Sequence, residues 1–327
     1  MKLNVFRAGF LTTVQDLGRT GFRQIGVSLG GALDPHALRV ANLLVGNNES
    51  EAGLEITFGG LQLRFADERI VAWCGGQFDV RVGSRLLPAG HAALARADEE
   101  LAIAQPKLGC RAWIAISGGI DVPAALGSRS TDWRAKFGGI EGRALRDRDQ
   151  LALGPLPESA QVLIGLLSAQ RFSSWSPSVE WTSTAEAEPT LRFVRGSDWA
   201  RFAASTRHVL VSEAFVVSHD SDRMGARLEG PELKRNENVD LISEAVAPGT
   251  IQVPPNGKPI VLLGDCQTIG GYPKIGHVIT GDLPIAAQLR AGDTVRFQEI
   301  SLTDAHRLLF ERQQELERFR IGLSLRE

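Results

Sequence analysis

Short β-rich runs, each cut off by turn residues, recur from one end of this chain to the other, and that texture limits its fold more than any other feature. KLNVFR, LEITF, LQLRF, IVAWC, FDVRV, LAIA and RAWIAIS occupy the first half. TLRFV, HVLV, FVV, TIQV, PIVLL, IGHVIT and TVRF repeat the pattern in the second. With 35 glycines and 15 prolines interrupting them, such runs favour barrels or sandwiches over alternating β and α units. The expected class is mainly β, with few short helices and a C-terminal helix. A chain of 327 residues exceeds what one core usually serves, so two domains are expected. The Ser-, Thr-, Glu- and Pro-rich stretch QRFSSWSPSVEWTSTAEAEP, from Gln170 to Pro189, reads as the linker. The expected division is residues 1–180, then 190–300, then a helix over 301–327.

Two helices are signalled directly. In LDPHALRVANLLVG, Asp34 can cap, Pro35 suits the first helical position and Gly46 can terminate. Ala37, Leu38, Ala41, Leu44 and Val45 supply an apolar face at spacings of three and four. SLTDAHRLLFERQQELERFR also reads as a helix, with Ser301 or Thr303 as cap and Leu302, Ala305, Leu309, Leu316 and Phe319 on one side. It is expected to be a packing or partner element.

The composition excludes several classes. A net charge of −2 and a pI near 6.3 give no basic field for nucleic acid or a membrane surface. No apolar run of bilayer-spanning length occurs, and polar residues break the apolar start MKLNVFRAGF, so a cytoplasmic location is expected. Cys74, Cys110 and Cys266 are widely spaced and odd in number, which suits buried thiols better than disulfides or a metal knuckle. The six histidines are scattered, so no metal site is expected. PPNGKP lacks the hydroxyl residue and first glycine of a phosphate loop, and Pro259 would block the helix such a loop requires. No lysine is flanked by methionines, so no covalent biotin is expected on this chain.

Three polar, glycine-bearing stretches carry the candidate chemistry. In TTVQDLGRTGFRQIGVSLGGALD, Gln15, Asp16, Arg19 and Arg23 stand on a backbone able to approach a ligand closely. Arg19 can grip a carboxylate or phosphate through its guanidinium, or form a surface pair with Asp16. Asp34 reads as a helix cap that could also touch substrate from a cleft edge. SHDSDRMGARLEGPEL gathers His219, Asp220, Asp222, Arg223 and Arg227, either as solvated loop charges or as a turn folded onto something apolar. DCQTIGGYPKIGHVITGDL holds the chain's only tyrosine, Tyr272. There Gly270 and Gly271 are expected to permit positive φ, and Pro273 to stiffen the kink, aiming the Tyr272 hydroxyl and Lys274 ammonium into a cleft. A phenol can donate a proton and a lysine can stabilise negative charge on an oxygen. Asp265 and Gln267 add an acceptor and a donor. The competing reading of Tyr272 is a core tyrosine with a satisfied hydroxyl.

These stretches, with GGIDVPAALGSRSTD and FGGIEGRAL, make the chain similar in order from about Phe6 to Phe297 to the allophanate hydrolase subunit 2 family. That family is also called biotin-dependent carboxyltransferase-like or KipA-like, and within it the chain most resembles the C-subunit branch of ATP-dependent 5-oxoprolinases. The resemblance implies cyclophilin-like barrel domains and a small-molecule substrate. It implies two partners, a KipI-like B subunit (allophanate hydrolase subunit 1 family) and a LamB/YcsF-type A subunit, with ATP used by the assembled complex. The implied reaction opens the lactam of 5-oxoproline to glutamate. Two other readings stay open: half of a biotin-dependent urea or amide carboxyltransferase, and a non-catalytic partner of a KipI-like kinase inhibitor. The matched positions are Gln15, Asp16, Arg19, Asp34, Arg223, Gln267, Thr268, Gly270, Gly271, Tyr272 and Lys274. Of these, Tyr272, Lys274, Gln267 and Arg19 are expected to be catalytic and the others to bind substrate. Cys266 and Ile269 depart from the family pattern beside Gln267–Thr268, a change of packing more than of chemistry.

Overall fold

A computed structural model of the chain describes residues 2–182, 184–236 and 241–325. They form two compact units. Unit 1 comprises Met1–Arg19, Gly30–Ala185 and Leu316–Glu327; unit 2 comprises Thr20–Leu29 and Glu186–Glu315. The main change of unit lies within the Ser/Thr/Glu/Pro-rich stretch, which also holds a short helix. The division is not sequential: residues 20–29 belong with the second unit, and the end of the terminal helix belongs with the first.

In unit 1 the strands are β1 (Lys2–Ala8), β2 (Leu11–Gln15), β3 (Gly53–Thr57), β4 (Leu61–Phe65), β5 (Arg69–Gln77), β6 (Val80–Val82), β7 (Arg85–Leu86), β8 (Ala92–Ala95), β9 (Glu100–Ile103), β10 (Leu108–Ile116) and β11 (Gln150–Ala152). They make a six-stranded sheet, β11-β1-β4-β9-β6-β7, and a five-stranded sheet, β2-β3-β10-β5-β8. Period-two alternation is clean in β4, where Leu61, Leu63 and Phe65 are buried and Gln62 is exposed. Both sheets feed one core that includes Leu3, Leu63, Ile56, Trp73 and Ile114. Helix α1 (Pro35–Leu44) packs on β5 and β10. It starts as the sequence predicts: an Asp34 carboxylate oxygen accepts the Ala37 N–H at 2.9 Å, and Pro35 follows. Gly46, at φ 75°, lies just past its end. Two further helices of this unit are α2 (Glu158–Gln170) and α3 (Val179–Thr182).

Unit 2 is built on a closed barrel ordered β12-β19-β16-β17-β14-β13-β20. Its strands are β12 (Thr190–Arg195), β13 (Phe215–Val217), β14 (Gly225–Glu229), β16 (Thr250–Gln252), β17 (Ile260–Leu262), β19 (Lys274–Val278) and β20 (Thr294–Glu299), while β15 (Glu244–Ala245) pairs β18 (Ile269–Gly270) outside it. β20 closes the barrel by pairing β12 in parallel and β13 antiparallel. Phe193, Phe215 and Phe297 fill the interior as edge-on pairs with centroids about 6 Å apart. Helices α4 (Ala204–Ser212) and α5 (Leu283–Ala286) belong to this unit, and α6 (Leu302–Ser324) runs through the change of unit at Glu315/Leu316. Ser301 caps α6: its hydroxyl accepts the Asp304 N–H at 3.0 Å and donates to the Asp304 carboxylate at 2.6 Å.

The mainly β expectation holds, with three differences in the helices. HVLV is not a strand but lies in the C-terminal half of α4, which buries Thr206 and Leu210, four apart, as a helix face does. In α2, Ala160, Leu163 and Leu167 are buried, but no side chain caps its start and apolar residues surround it, so its period is weak. In α6 no described residue is fully buried, and Leu302, expected on the packing side, is exposed.

Many turns rely on glycine, but for different reasons. Gly59 has φ +68°, and a Cβ there would lie 1.9 Å from the Ala104 carbonyl oxygen. Gly127, in the same unit, has φ +77° and open space around it. Gly127→Ala should cost about 1–2 kcal/mol, the strain of a left-handed non-glycine residue. Gly59→Ala should cost about 2–3 kcal/mol more, because backbone must also move. Thermal melting of the two variants measures the difference, and equal losses would contradict the steric part of the argument.

Candidate active site

The candidate residues fall into two groups, one in each unit. In unit 1, the end of β2 delivers Gln15 and Asp16 beneath the loop that follows β10. The buried Asp16 carboxylate accepts four hydrogen bonds: Gly18 N–H at 2.8 Å, Ser128 hydroxyl at 2.6 Å, Ser130 hydroxyl at 2.5 Å and Arg129 N–H at 2.6 Å. Arg19 is fully buried; its Nε donates to the Ala125 carbonyl at 3.2 Å and its Nη2 to the Ser130 carbonyl. Its guanidinium also stacks 4.4 Å from the Phe137 ring centroid. Gln15 is buried and donates to Thr13 Oγ1 and the Thr131 carbonyl. Asp16 and Arg19 are therefore not a mutual surface pair. Gln15, Asp16 and Arg19 hold residues 125–131 and Phe137 in place, and the Arg19 guanidinium is committed inside the fold. Asp34 is fully buried as the α1 cap, and its second oxygen lies 3.3 Å from Thr184 Oγ1.

In unit 2 the cluster forms where β16 meets β19. Their register shifts between Ile251 and Gln252, so Thr250 faces His277, Ile251 faces Gly276 and Gln252 faces Lys274. Such a bulge turns a side chain away from the regular pleat. Lys274 is buried, yet its ammonium has two carboxylate neighbours: Glu244 at 2.8 Å and Asp198 at 3.6 Å. Asp198 is fixed by a reciprocal link, its carboxylate accepting the Lys274 N–H at 2.9 Å and its own N–H reaching the Lys274 carbonyl at 3.2 Å. Gly196 allows this approach, since a Cβ there would sit 2.2 Å from that carbonyl oxygen. The Glu244 side chain is 64% exposed, so its pairing with Lys274 is weak and exchangeable. The ammonium thus has one buried, fixed partner and one exposed, loosely held one.

Two side-chain amides belong to the same cluster. The Gln267 side chain donates to Gln252 Oε1 at 3.3 Å, and Gln252 donates to the Tyr272 carbonyl at 3.4 Å. Tyr272 is 46% exposed, so its ring is not sealed in the barrel. Gly270 and Gly271 do not adopt positive φ, contrary to expectation. Gly270 packs instead against the Gln252 side-chain amide: a Cβ would stand 2.7 Å from Gln252 Nε2, a flexible end that can shift. Thr268 is buried and its carbonyl accepts the Val246 N–H. Arg223 and Asp265 form a buried two-point ion pair at 2.8 and 3.1 Å, tying the β13–β14 turn to the segment after β17. Both therefore act as struts. Burial pushes the Cys266 thiol up to about 11, against the pull of nearby Arg23, so it is no nucleophile at neutral pH. Asp198, Glu244 and Gln252 have no counterpart among the expected site residues. The one available signal was the Gly196–Ser197–Asp198 turn that directly follows the TLRFV strand.

The carboxyltransferase domain family, subdomains A and B, matches residues 25–299. The chain belongs to this family. It is 38% identical to the 5-oxoprolinase C subunit of Escherichia coli K12, over 93% of each chain. It is 34% identical to the 5-oxoprolinase C subunit of Haemophilus influenzae, over 90% of each. The solved urea amidolyase of K. lactis superimposes with a TM-score of 0.88 at 27% identity, covering 97% of this chain and 20% of that one. Among the described residues, no helix is long and apolar enough to cross a membrane.

His277 reports on the cluster. Burial first, and then the Lys274 charge, hold its pKa below the ordinary histidine value of 6.5. The folded state therefore favours neutral His277, and its contribution to stability is lost as pH falls from about 6.5 through the lower folded value. An NMR titration of His277 should give a midpoint below 6.5, and Lys274→Gln should raise it. A midpoint that ignores the substitution would contradict the proximity of the two groups.

Proposed function

We propose that this chain is the C subunit of an ATP-dependent 5-oxoprolinase, acting on 5-oxoproline with two partner chains, one KipI-like (the B subunit) and one of LamB/YcsF type (the A subunit). The observation that carries this reading is the 38% identity to a 5-oxoprolinase C subunit that spans 93% of both chains. The partners, the substrate and the cytoplasmic location belong to the proposal. In the net reaction water adds to the lactam carbonyl and the ring C–N bond breaks. The nitrogen leaves as the amine of glutamate, and a second water takes ATP to ADP and phosphate.

Negative charge gathers on the lactam oxygen as water adds. Lys274 is suited to hold it, since Glu244 can yield its place and Asp198 keeps the ammonium aimed. The Gln267 amide and Tyr272 hydroxyl are suited to hydrogen-bond the lactam. Arg19, Gln15, Asp16, Asp34 and Arg223 act by positioning. ATP supplies the free energy for opening a stable amide. The PPNGKP stretch does not fit its phosphates: Lys258 donates to the Gly230 carbonyl at 2.6 Å, and Pro259 leads into β17. We therefore assign nucleotide binding to the assembled complex.

The close superposition on urea amidolyase supports a second reading, a carboxyltransferase half that acts with a biotin carrier on another chain. Both reactions develop charge on an amide-like oxygen, and the same lysine would serve either.

Reconstitution from the three purified proteins decides between them. Glutamate release from 5-oxoproline should require ATP and all three chains. Lys274→Gln should lower turnover about ten- to a thousandfold while the complex still assembles. A rate that ignores the presence of this chain, or carboxyl transfer from carboxybiotin to urea, would overturn the oxoprolinase reading.

A further inference from the structure

A small cleft lies in unit 1, built from residues that the proposed reaction does not use. It encloses about 290 Å³ and is lined by Asn47, Glu51, Gly118, Asp121, Arg129 and Gly154, among others. That volume is near the lower end of small-molecule sites. Its walls are fixed. The Asn47 amide donates to Asn42 Oδ1 and the Ile116 carbonyl, and its oxygen accepts the Gly118 N–H at 2.8 Å. Gly118 and Gly119 have φ of +88° and +68°, and their missing side chains leave space already taken by the Gly154 carbonyl and the Glu51 carboxylate. The buried Arg69 guanidinium donates to the Gly154 carbonyl from behind.

Arg129 is the cation of this cleft, and two other residues set its position. Its N–H is held by the Asp16 carboxylate and its Nε by the Val122 carbonyl at 3.1 Å. The two terminal nitrogens stand 4.0 Å from Glu51 and 4.0 Å from Asp121, beyond hydrogen-bond length. All three side chains are partly exposed. A clamped guanidinium, bracketed by two carboxylates that it does not directly bond, presents both signs of charge in one small space.

We propose that this cleft binds a free α-amino acid, with the ligand carboxylate on Arg129 and its ammonium on Glu51 or Asp121. A simple anion would be repelled by the flanking carboxylates and a simple cation by the guanidinium; a ligand bearing both charges satisfies both. The cleft belongs to unit 1 and the Lys274 cluster to unit 2, and binding here does not depend on the reaction proposed above. Should that reaction hold, glutamate is the amino acid this chain meets as product, and the cleft is where product would be sensed.

Calorimetric titration of the full chain with L-glutamate tests this directly. Binding with Kd of about 1 mM or tighter is expected. N-acetyl-L-glutamate, which lacks the ammonium, and the α-amide of glutamate, which lacks the α-carboxylate, should each bind at least about tenfold more weakly, the worth of one charge-assisted contact. Arg129→Gln should show the same loss at unchanged melting temperature, and so should Glu51→Gln combined with Asp121→Asn. If Arg129→Gln melts early, Asp121→Asn combined with Glu51→Gln probes the ammonium side without touching the guanidinium. No heat up to about 10 mM glutamate, equal binding by the blocked analogues, or full affinity in the folded variants would overturn the proposal.

Discussion

The Asp16 carboxylate is the constraint on which the ligand-facing side of unit 1 depends. It lies at the end of β2 and accepts donors from two serine hydroxyls and two backbone N–H groups. A buried carboxylate is costly unless it is paired or fully hydrogen-bonded, and here the loop over 128–130 supplies most of the bonds. The loop is fixed as a result, and Arg19 secures its flanks from below through Ala125, Ser130 and Phe137. Arg129 inherits its position from this arrangement and is directed into the cleft beside Glu51. One acidic side chain thus sets the geometry of a site it does not itself enter.

Unit 2 solves a similar problem with a bulge and a reciprocal link. The register shift between β16 and β19 places Gln252 beside Lys274, and Asp198 grips the Lys274 backbone while facing its ammonium. Asp198 holds this lysine from the buried side, and the exposed Glu244 is the weaker of its two carboxylate partners. The role proposed for Lys274, holding a developing oxyanion, calls for preorganisation of this kind.

Much of this was legible in the sequence, because the relevant signals are local. The strand runs, the Asp34–Pro35 helix start and the Ser301 cap depend on neighbours a few residues apart. HVLV misled because three consecutive apolar residues suit a strand as well as a helix, and only the Thr206–Leu210 burial separates them. Glycines were read for their torsional freedom, whereas Gly196 is needed for close approach to the Lys274 carbonyl. The long-range partnerships were hidden. Asp16 meets Ser128 across 112 positions and Lys274 meets Asp198 across 76, and no local pattern encodes either pairing. For that reason Arg19, a polar residue among glycines, reads as a ligand grip when it is a buried strut.

The central claim is this division of labour, with chemistry at the exposed end of the unit 2 cluster and support from Arg19. Parallel measurement of melting temperature and turnover for Tyr272→Phe and Arg19→Lys, in the reconstituted enzyme, tests it most directly. The account predicts that Tyr272→Phe melts like the parent and loses turnover, while Arg19→Lys melts early and keeps turnover at temperatures where it is folded. An Arg19→Lys variant with parental melting and abolished turnover, beside a fully active Tyr272→Phe, would contradict it.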